Sequence, residues 1–329
     1  MATPTPAQFS LFMSTANIAI RQAWSMAETP YAAYTTEIPS DTETYVDGWI
    51  GRMAKMREWL GGRVVHTPGP QTYSVTTQLW ENTYGIDRFT FAFEKFGVYY
   101  GMIQDLPLQA KRQPGFVIRD MLENTGSQTG ARQNGLDGLA NFATNHPVNI
   151  YRTGAGTYSN DFRGGFSVGG VTVGGALGLT SFGTAIEYMH SYKAEDGERL
   201  NVTPNMMIIP LNLQVEAEII LKNQSNAPST WGTFGGAQTA VGAQDNVYKR
   251  FGVDYMVEPN LLHATNWYLA DTTKSVKPVR WIKNGGPVFS PRVSETDENM
   301  WVNHMMLWGC HLIGTSAWSP SWLMAKSGP

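Results

Sequence analysis

The chain has 329 residues, enough for one large domain or two ordinary ones with ample core in either case. Charged residues make up 16% of it, against about 25% in ordinary soluble domains, while hydrophobic residues reach 42%. So little charge cannot coat a monomer's exterior, so much of the surface is expected to meet other protein. The net charge of −3, with no Lys/Arg run, excludes tight nucleic-acid binding through phosphate neutralisation.

In chain order, residues 1–40 read as an arm with a short helix near Gln8–Met26 that must dock on something else. Residues 42–60 have helical spacing, with Val46, Ile50, Met53, Met56 and Leu60 on one stripe and Gly61-Gly62 as the stop. An extended segment follows, rich in Thr, Val, Tyr and Phe and broken by Pro68-Gly69-Pro70. Between Thr72 and Phe93 its pattern has no firm core face, which predicts a long hairpin protruding from the body. From Glu94 to Glu123 the pattern is helical but interrupted at Pro107 and Pro114, the latter read as the first residue of a new helix.

Residues 124–178 are rich in Gly, Asn and Thr, and GGFSVGGVTVGGALG at 164–178 reads as a flexible loop or arm. It holds neither GxxxxGK[ST] nor GxGxxG, so it offers no phosphate cradle. LTSFGTAIEYMHSYKAEDG predicts a helix capped at Thr180 or Ser181 and stopped at Gly197. DGERLNVTPNMMIIP at 196–210 then reads as a turn and a buried strand, and LQVEAEIILK as a helix. Two further strands, VDYMVEP and NWYLAD, precede the long apolar run of 295–327. Helices and strands mix without βαβ regularity, so the class is α+β.

The chain is nearly silent as an enzyme. Its six histidines, His66, His146, His190, His263, His304 and His311, show no metal-ligand spacing. GFSVG at 165–169 matches GxSxG around Ser167, yet the strand–turn–helix context of a nucleophile elbow is missing. A hydrolase using Ser167 and His146, with the carboxylates Glu295, Asp297 and Glu298, is the rival reading. The alternatives are a turn-closing His146 and a solvated acidic turn. Lone Cys310, in MMLWGCHLIG, excludes an intramolecular disulfide and reads as a buried small hydrophobe. No catalytic residue, cofactor or metal is assigned. The N-terminus lacks a signal-peptide pattern and no apolar run is long enough to span a membrane, so the chain reads as soluble and intracellular.

Seven segments in order carry a resemblance. They are MREWLGGRVV (56–65), ENTYGIDR with FEKFGVYYGMI (81–103), GLANFATNHP (138–147) and LTSFGTAIEYM (179–189). DGERLNVTPNMMIIP (196–210), VEPNLLHATNWYLAD (257–271) and ETDENMWV (295–302) complete the set. With these the chain resembles the Mu-like major head subunit (gpT) family of tailed bacteriophages, a branch of the Hong Kong 97-type major capsid fold. The resemblance implies an N-terminal arm (1–60) and an E-loop (61–93) whose tip, Pro68, Gly69, Pro70 and Gln71, makes inter-subunit contacts. It further implies a peripheral (P) domain at 94–195 with a spine helix near 98–125, an axial (A) domain at 196–277, and P-domain strands at 278–329. Against the continuous spine helix usual in that fold stand the aromatics Phe89, Phe91, Phe93 and Phe96 and the two prolines.

The implied function is a major capsid protein that forms pentamers and hexamers of an icosahedral shell. That shell would enclose double-stranded DNA without sequence-specific binding. The implied partners are other copies of itself, a scaffolding protein or protease, a portal and a decoration protein, with no membrane. The implied place is the virion, after assembly in the host bacterial cytoplasm. An encapsulin-like compartment or a gene-transfer-agent head would share the fold. No cross-linking Lys–Asn pair is marked in the sequence. Trp267 and Trp301 are both expected to be buried.

Overall fold

The computed structural model describes residues 18–49, 58, 61, 71–88, 97–123, 134–150, 154–223, 246–294 and 296–329. A helical segment over 18–26 leads into β1 (Thr35–Pro39), β2 (Thr44–Trp49), β3 (Gln71–Thr76), β4 (Gln78–Asp87) and a 27-residue helix, α1 (Gly97–Glu123). Two small hairpins follow, β5 (His146–Pro147) with β6 (Thr157–Tyr158) and β7 (Phe166–Val168) with β8 (Val171–Val173). Next come α2 (Leu179–His190), β9 (Met206–Ile209), α3 (Gln214–Leu221), β10 (Asp254–Val257) and β11 (Trp267–Ala270). The chain closes with β12 (Val279–Lys283), β13 (Val288–Arg292), α4 (Glu298–Asn303), β14 (Met305–Trp318) and β15 (Met324–Ser327). Helices and strands are mixed, with β9–α3–β10 as a single βαβ unit among mostly antiparallel pairs, which makes this an α+β fold, as expected.

Two sheets organise the chain. In the four-stranded sheet the order is β10-β9-β11-β15, with β9 and β10 parallel and the other pairs antiparallel. Along β9, Met207 and Ile209 face a core shared with Phe182 and Met189 of α2 and Ile220 of α3. Ile208 points the other way, to Ile118 and Leu122 of α1. A strand covered on both faces needs apolar residues at every position rather than at alternate ones. This is why MMII and WYLA are unbroken apolar runs, and WYLA is buried at all four positions. β15 comes from the chain's last residues, so the sheet of the 196–277 segment is completed by a strand from 278–329.

The five-stranded sheet is built around the 14-residue β14. On one edge β14 pairs with β12 and β13, and on the other with β4 from Gln78↔Gly314 to Asp87↔Met305. Met306, Trp308, Cys310 and Leu312 alternate onto its buried face. There Ile103 and Leu106 of α1 meet Trp308 and Cys310, and Val117 meets Leu312 and Trp281.

α1 therefore runs against both sheets, about 40 Å long at about 1.5 Å per residue. The breaks expected at Pro107 and Pro114 do not occur, since both lie inside one continuous helix. An interior proline costs about 3 kcal/mol through its lost N–H and ring clash. Burial of Leu106, Val117, Ile118, Met121 and Leu122 along the same helix offsets that cost. At its C-terminal end, the buried Glu123 carboxylate accepts from the Leu262 and His263 N–H groups at 2.8 Å.

Four further expectations are corrected. The helix predicted over 42–60 is strand β2 where it is described, since β2 finds an antiparallel partner in β3. Ile50, Met53, Met56 and Leu60 of its stripe lie outside the described residues, and Val46 is exposed. The hairpin predicted over 72–93 does not pair with itself: β3 turns to β2, and β4 is absorbed into the five-stranded sheet. The glycine-rich segment is an ordered hairpin, not a loose arm. Gly169 and Gly170 (φ +58° and +85°) supply the two left-handed positions that a tight hairpin turn requires. Finally, α2 starts after Gly178 without a side-chain cap and ends at His190. Gly197 (φ +82°) turns the chain between the bridged residues Lys193 and Arg199 instead of stopping the helix.

Of the helix expected near Gln8–Met26, residues 8–17 lie outside the described residues, and the described part, 18–26, packs on the chain's own body. Ile20 packs against the cluster around Trp308, and Trp24 meets Phe289 edge-on at 6.4 Å. Lys111 of α1 donates to the Trp24 carbonyl at 2.8 Å.

Candidate assembly surfaces

Of the predicted E-loop tip, Pro68, Gly69 and Pro70 lie outside the described residues, and Gln71 opens β3 opposite Trp49. The described part of the hairpin shows how it is held. Tyr73 and Val75 of β3 are buried against Ile282 and Ala317 of the five-stranded sheet. Arg280 on β12 lies under the hairpin, its guanidinium paired with Asp47 of β2 and bonded through Nε to the Trp318 carbonyl at 3.1 Å. It also lies 5.8 Å from the Tyr73 ring centre. A charged hydrogen bond in such a buried place is directional, so the pair sets the hairpin's angle to the sheet as well as its attachment. Beyond this contact Val46 and most of β2 are exposed. The hairpin is thus anchored on one face and open on the other.

The residues of the hydrolase reading are not brought together. Ser167 is exposed on β7, opposite Thr172. His146 is fully buried, with Nδ1 2.5 Å from Asp137 Oδ2 and Nε2 3.0 Å from both the Asn141 carbonyl and Asn160 Oδ1. Asn160 Nδ2 donates to the carbonyls of Asn141, Ser321 and Met324, while its Oδ1 accepts from the Ala143 N–H. Those partners fix the amide orientation, so His146 Nε2 faces two acceptors and must donate. Both ring nitrogens are engaged, and neither is left for a nucleophile. The cluster ties the 137–160 segment to the chain's C-terminal turn. Asp137, Asn141 and Asn160 carry no spacing that marks them in the sequence; GLANFATNHP holds only one of the three.

The acidic group is likewise structural in its described part. Asp297 accepts from the Ser294 N–H at 2.9 Å and precedes α4, while Glu295 lies outside the described residues. Among the described residues no group of three or more His, Cys, Asp or Glu is placed to hold a metal ion. Cys310 is buried as expected, and burial pushes its thiol up to about 11, far from a reactive thiolate. No helix among the described residues is long and apolar enough to cross a membrane.

The two tryptophans expected to be buried part company. Trp267 on β11 is fully buried, with its indole N–H donated to the Gly175 carbonyl at 3.0 Å. Trp301 on α4 is 82% exposed, next to exposed Val302 and Met305, while Met300 takes the inward position on that short helix. These three residues form an apolar group on the outside of the single chain.

Comparison with known proteins gives these surfaces a context. The family described as Mu-like prophage major head subunit gpT matches residues 9–171, and the family described as phage capsid protein matches residues 121–310. The major capsid protein of Escherichia phage Mu is 22% identical, with 67% of this chain and 91% of that protein covered. A Mu-like prophage major head subunit of Haemophilus influenzae is 28% identical over 41% of this chain and 42% of its own length. Among solved structures, the procapsid of bacteriophage JBD30 has a similar fold with a TM-score of 0.52, 21% identity, and coverage of 98% of this chain and 75% of that one. The chain belongs to the phage capsid protein family, as a major head subunit of the Mu-like type with the Hong Kong 97-like α+β fold.

Proposed function

We propose that this chain is the repeating wall subunit of a phage head, forming pentamers and hexamers of an icosahedral shell around double-stranded DNA. The observation that carries the reading is the combination of a rigid two-sheet body spanned by α1 with a hairpin attached along one face only. A closed shell of identical copies needs such a body, and it needs projections that meet different faces of neighbours. In this reading α1 is the spine helix, and the five-stranded sheet with α1 forms the P-domain. The four-stranded sheet with α3 forms the A-domain, and β2 and β3 are the stem of the E-loop. The E-loop then begins near Thr44 instead of residue 61, Gln71 belongs to its stem opposite Trp49 and not to its tip, and Pro68–Pro70 belong to the connection that leads from the tip into β3.

The chain acts by assembly and carries no catalytic chemistry. Its partners are further copies of itself, a scaffolding protein or protease, a portal and a decoration protein. Assembly takes place in the bacterial cytoplasm and the product is the virion capsid. Mild net acidity suits a container whose DNA must not stick to the wall. Electron microscopy of the chain expressed with a scaffold tests the reading: closed shells are expected, and a persistent monomer would overturn it. Deleting Pro68–Pro70, which leaves β3 intact, is expected to leave the monomer folded and block shells, and unchanged shells would remove the E-loop assignment.

A further inference from the structure

α3 is apolar on two opposite sides. Ala217, Ile220 and Leu221 enter the core, while Val215 and Ile219 remain 70% and 47% exposed. Leu211, in the short turn just before the helix, extends this outer stripe and is 63% exposed. Residues at i, i+4 and i+8 share one helix face, so these three form a second apolar stripe opposite the core face. The stripe is an apolar contact surface with an acidic rim, since exposed Glu216 and Glu218 stand beside it.

The same sheet unit carries a patch of the opposite character. The 3-10 turn Val247–Phe251 presents exposed Lys249, Arg250 and a 46% exposed Phe251. Phe251 is held in place before any partner arrives, its ring 5.8 Å from Tyr248, which in turn lies edge-on to buried Phe182. Gly252 (φ +66°) then turns the chain away behind it. Asn246, at the start of the turn, donates to the Ile220 and Asn223 carbonyls, so the turn packs directly on α3.

The geometry points to a head-to-tail contact between copies of this chain. In it Phe251 of one copy lies on the Leu211–Val215–Ile219 stripe of the next, and Lys249 faces Glu216. An acidic-rimmed apolar stripe and a basic-rimmed apolar knob on one chain are complementary to each other and not to themselves. Where the knob of one copy meets the stripe of the next without a return contact, the pairing is heterologous and closes into a ring when its rotation allows. Lys222 does not oppose it, since its ammonium lies over the Tyr255 ring of its own chain at 4.5 Å. Glu218 is partly engaged as acceptor from the Tyr255 hydroxyl, which leaves Glu216 as the charge that faces outward.

This inference rests on the shell reading and names the surfaces that close its rings. The test uses full-length chains carrying Val215→Cys or Phe251→Cys, mixed under assembly conditions and oxidised. A disulfide-linked dimer is expected from the mixture and none from either variant alone, while the double variant gives a ladder reaching pentamers and hexamers. Dimers from one variant alone, or no cross-link in shells seen by microscopy, would overturn the pairing and leave the shell reading intact. If wild-type chain forms no shells, both fall. Should the cysteines themselves block assembly, charge reversal decides. Glu216→Lys and Lys249→Glu singly are each expected to raise the concentration needed for assembly roughly tenfold, equivalent to about 1.4 kcal/mol. Together they should restore it at an unchanged melting temperature, and a double variant no better than the singles would refute the contact.

Discussion

β9 and β11 are covered on both faces by α1, α2 and α3, whereas β2 and β3 touch the body along one face and are exposed on the other. The first arrangement makes a rigid centre whose stability is internal to the chain. The second makes an element with one face free, available in the proposed shell for a neighbouring copy. The same contrast separates Trp267, sealed in the sheet, from Trp301, which stands on the surface of α4. Both are large apolar residues, so burial in a single chain is not what their type alone decides. What decides is whether the fold places each one against other elements of the chain or on its outer side.

The sharpest way to break this comparison is at its centre. Trp267→Ala is expected to cost about 3–5 kcal/mol, read as a fall in the denaturant midpoint, because a fully buried indole leaves a cavity that the sheet cannot close. A near-normal midpoint would mean that the sheet is not the rigid body argued above. Next comes the hairpin anchor. Asp47→Ala leaves the Arg280 guanidinium buried without its carboxylate and should cost about 1–3 kcal/mol. Protease cleavage should then concentrate in β2 and β3 while the four-stranded sheet stays protected; uniform cleavage would show that the hairpin is not a separate element.

A smaller effect distinguishes the interior by pH. Burial lowers the Lys326 ammonium on β15 from 10.5 to about 8, with its Nζ donating to the Leu122 carbonyl. Between those values the unfolded chain binds more protons than the folded one, so stability rises with pH, on the order of 1 kcal/mol per pH unit. Lys326→Met should flatten that rise between pH 8 and 9.5, and an unaltered slope would locate its origin elsewhere. The smallest effect is expected at the surface. Trp301→Ala should change monomer stability by no more than about 0.5 kcal/mol, and a large drop in melting temperature would return Trp301 to the core.

How much of this was legible depends on where each element's partners lie. MMII, WYLA and the α3 segment could be read because two-sided burial writes an uninterrupted apolar run into a short stretch. The seven ordered segments carried the family as well. Local spacing misleads at β2, because outward Val46 starts a helical stripe while the strand character comes from β3. The prolines of α1 favour breaks locally, and tertiary burial outweighs them. The His146 cluster was invisible beyond its one histidine. Asp137, Asn141 and Asn160 are ordinary loop residues until the fold turns them toward one buried ring.

By itself the sequence determined the α+β class, the buried strands of the 196–277 segment and, through seven ordered segments, the kinship to phage head subunits. The first two follow from local patterns that need only near neighbours in the chain, and the third from the order of those segments. Only the tertiary structure decided that α1 is continuous, that β4 belongs to β14, and that Trp301 and the outer face of α3 are left uncovered. Each of those depends on contacts between residues far apart in sequence, whose burial energy competes with local propensity and, at the distances bridged here, wins.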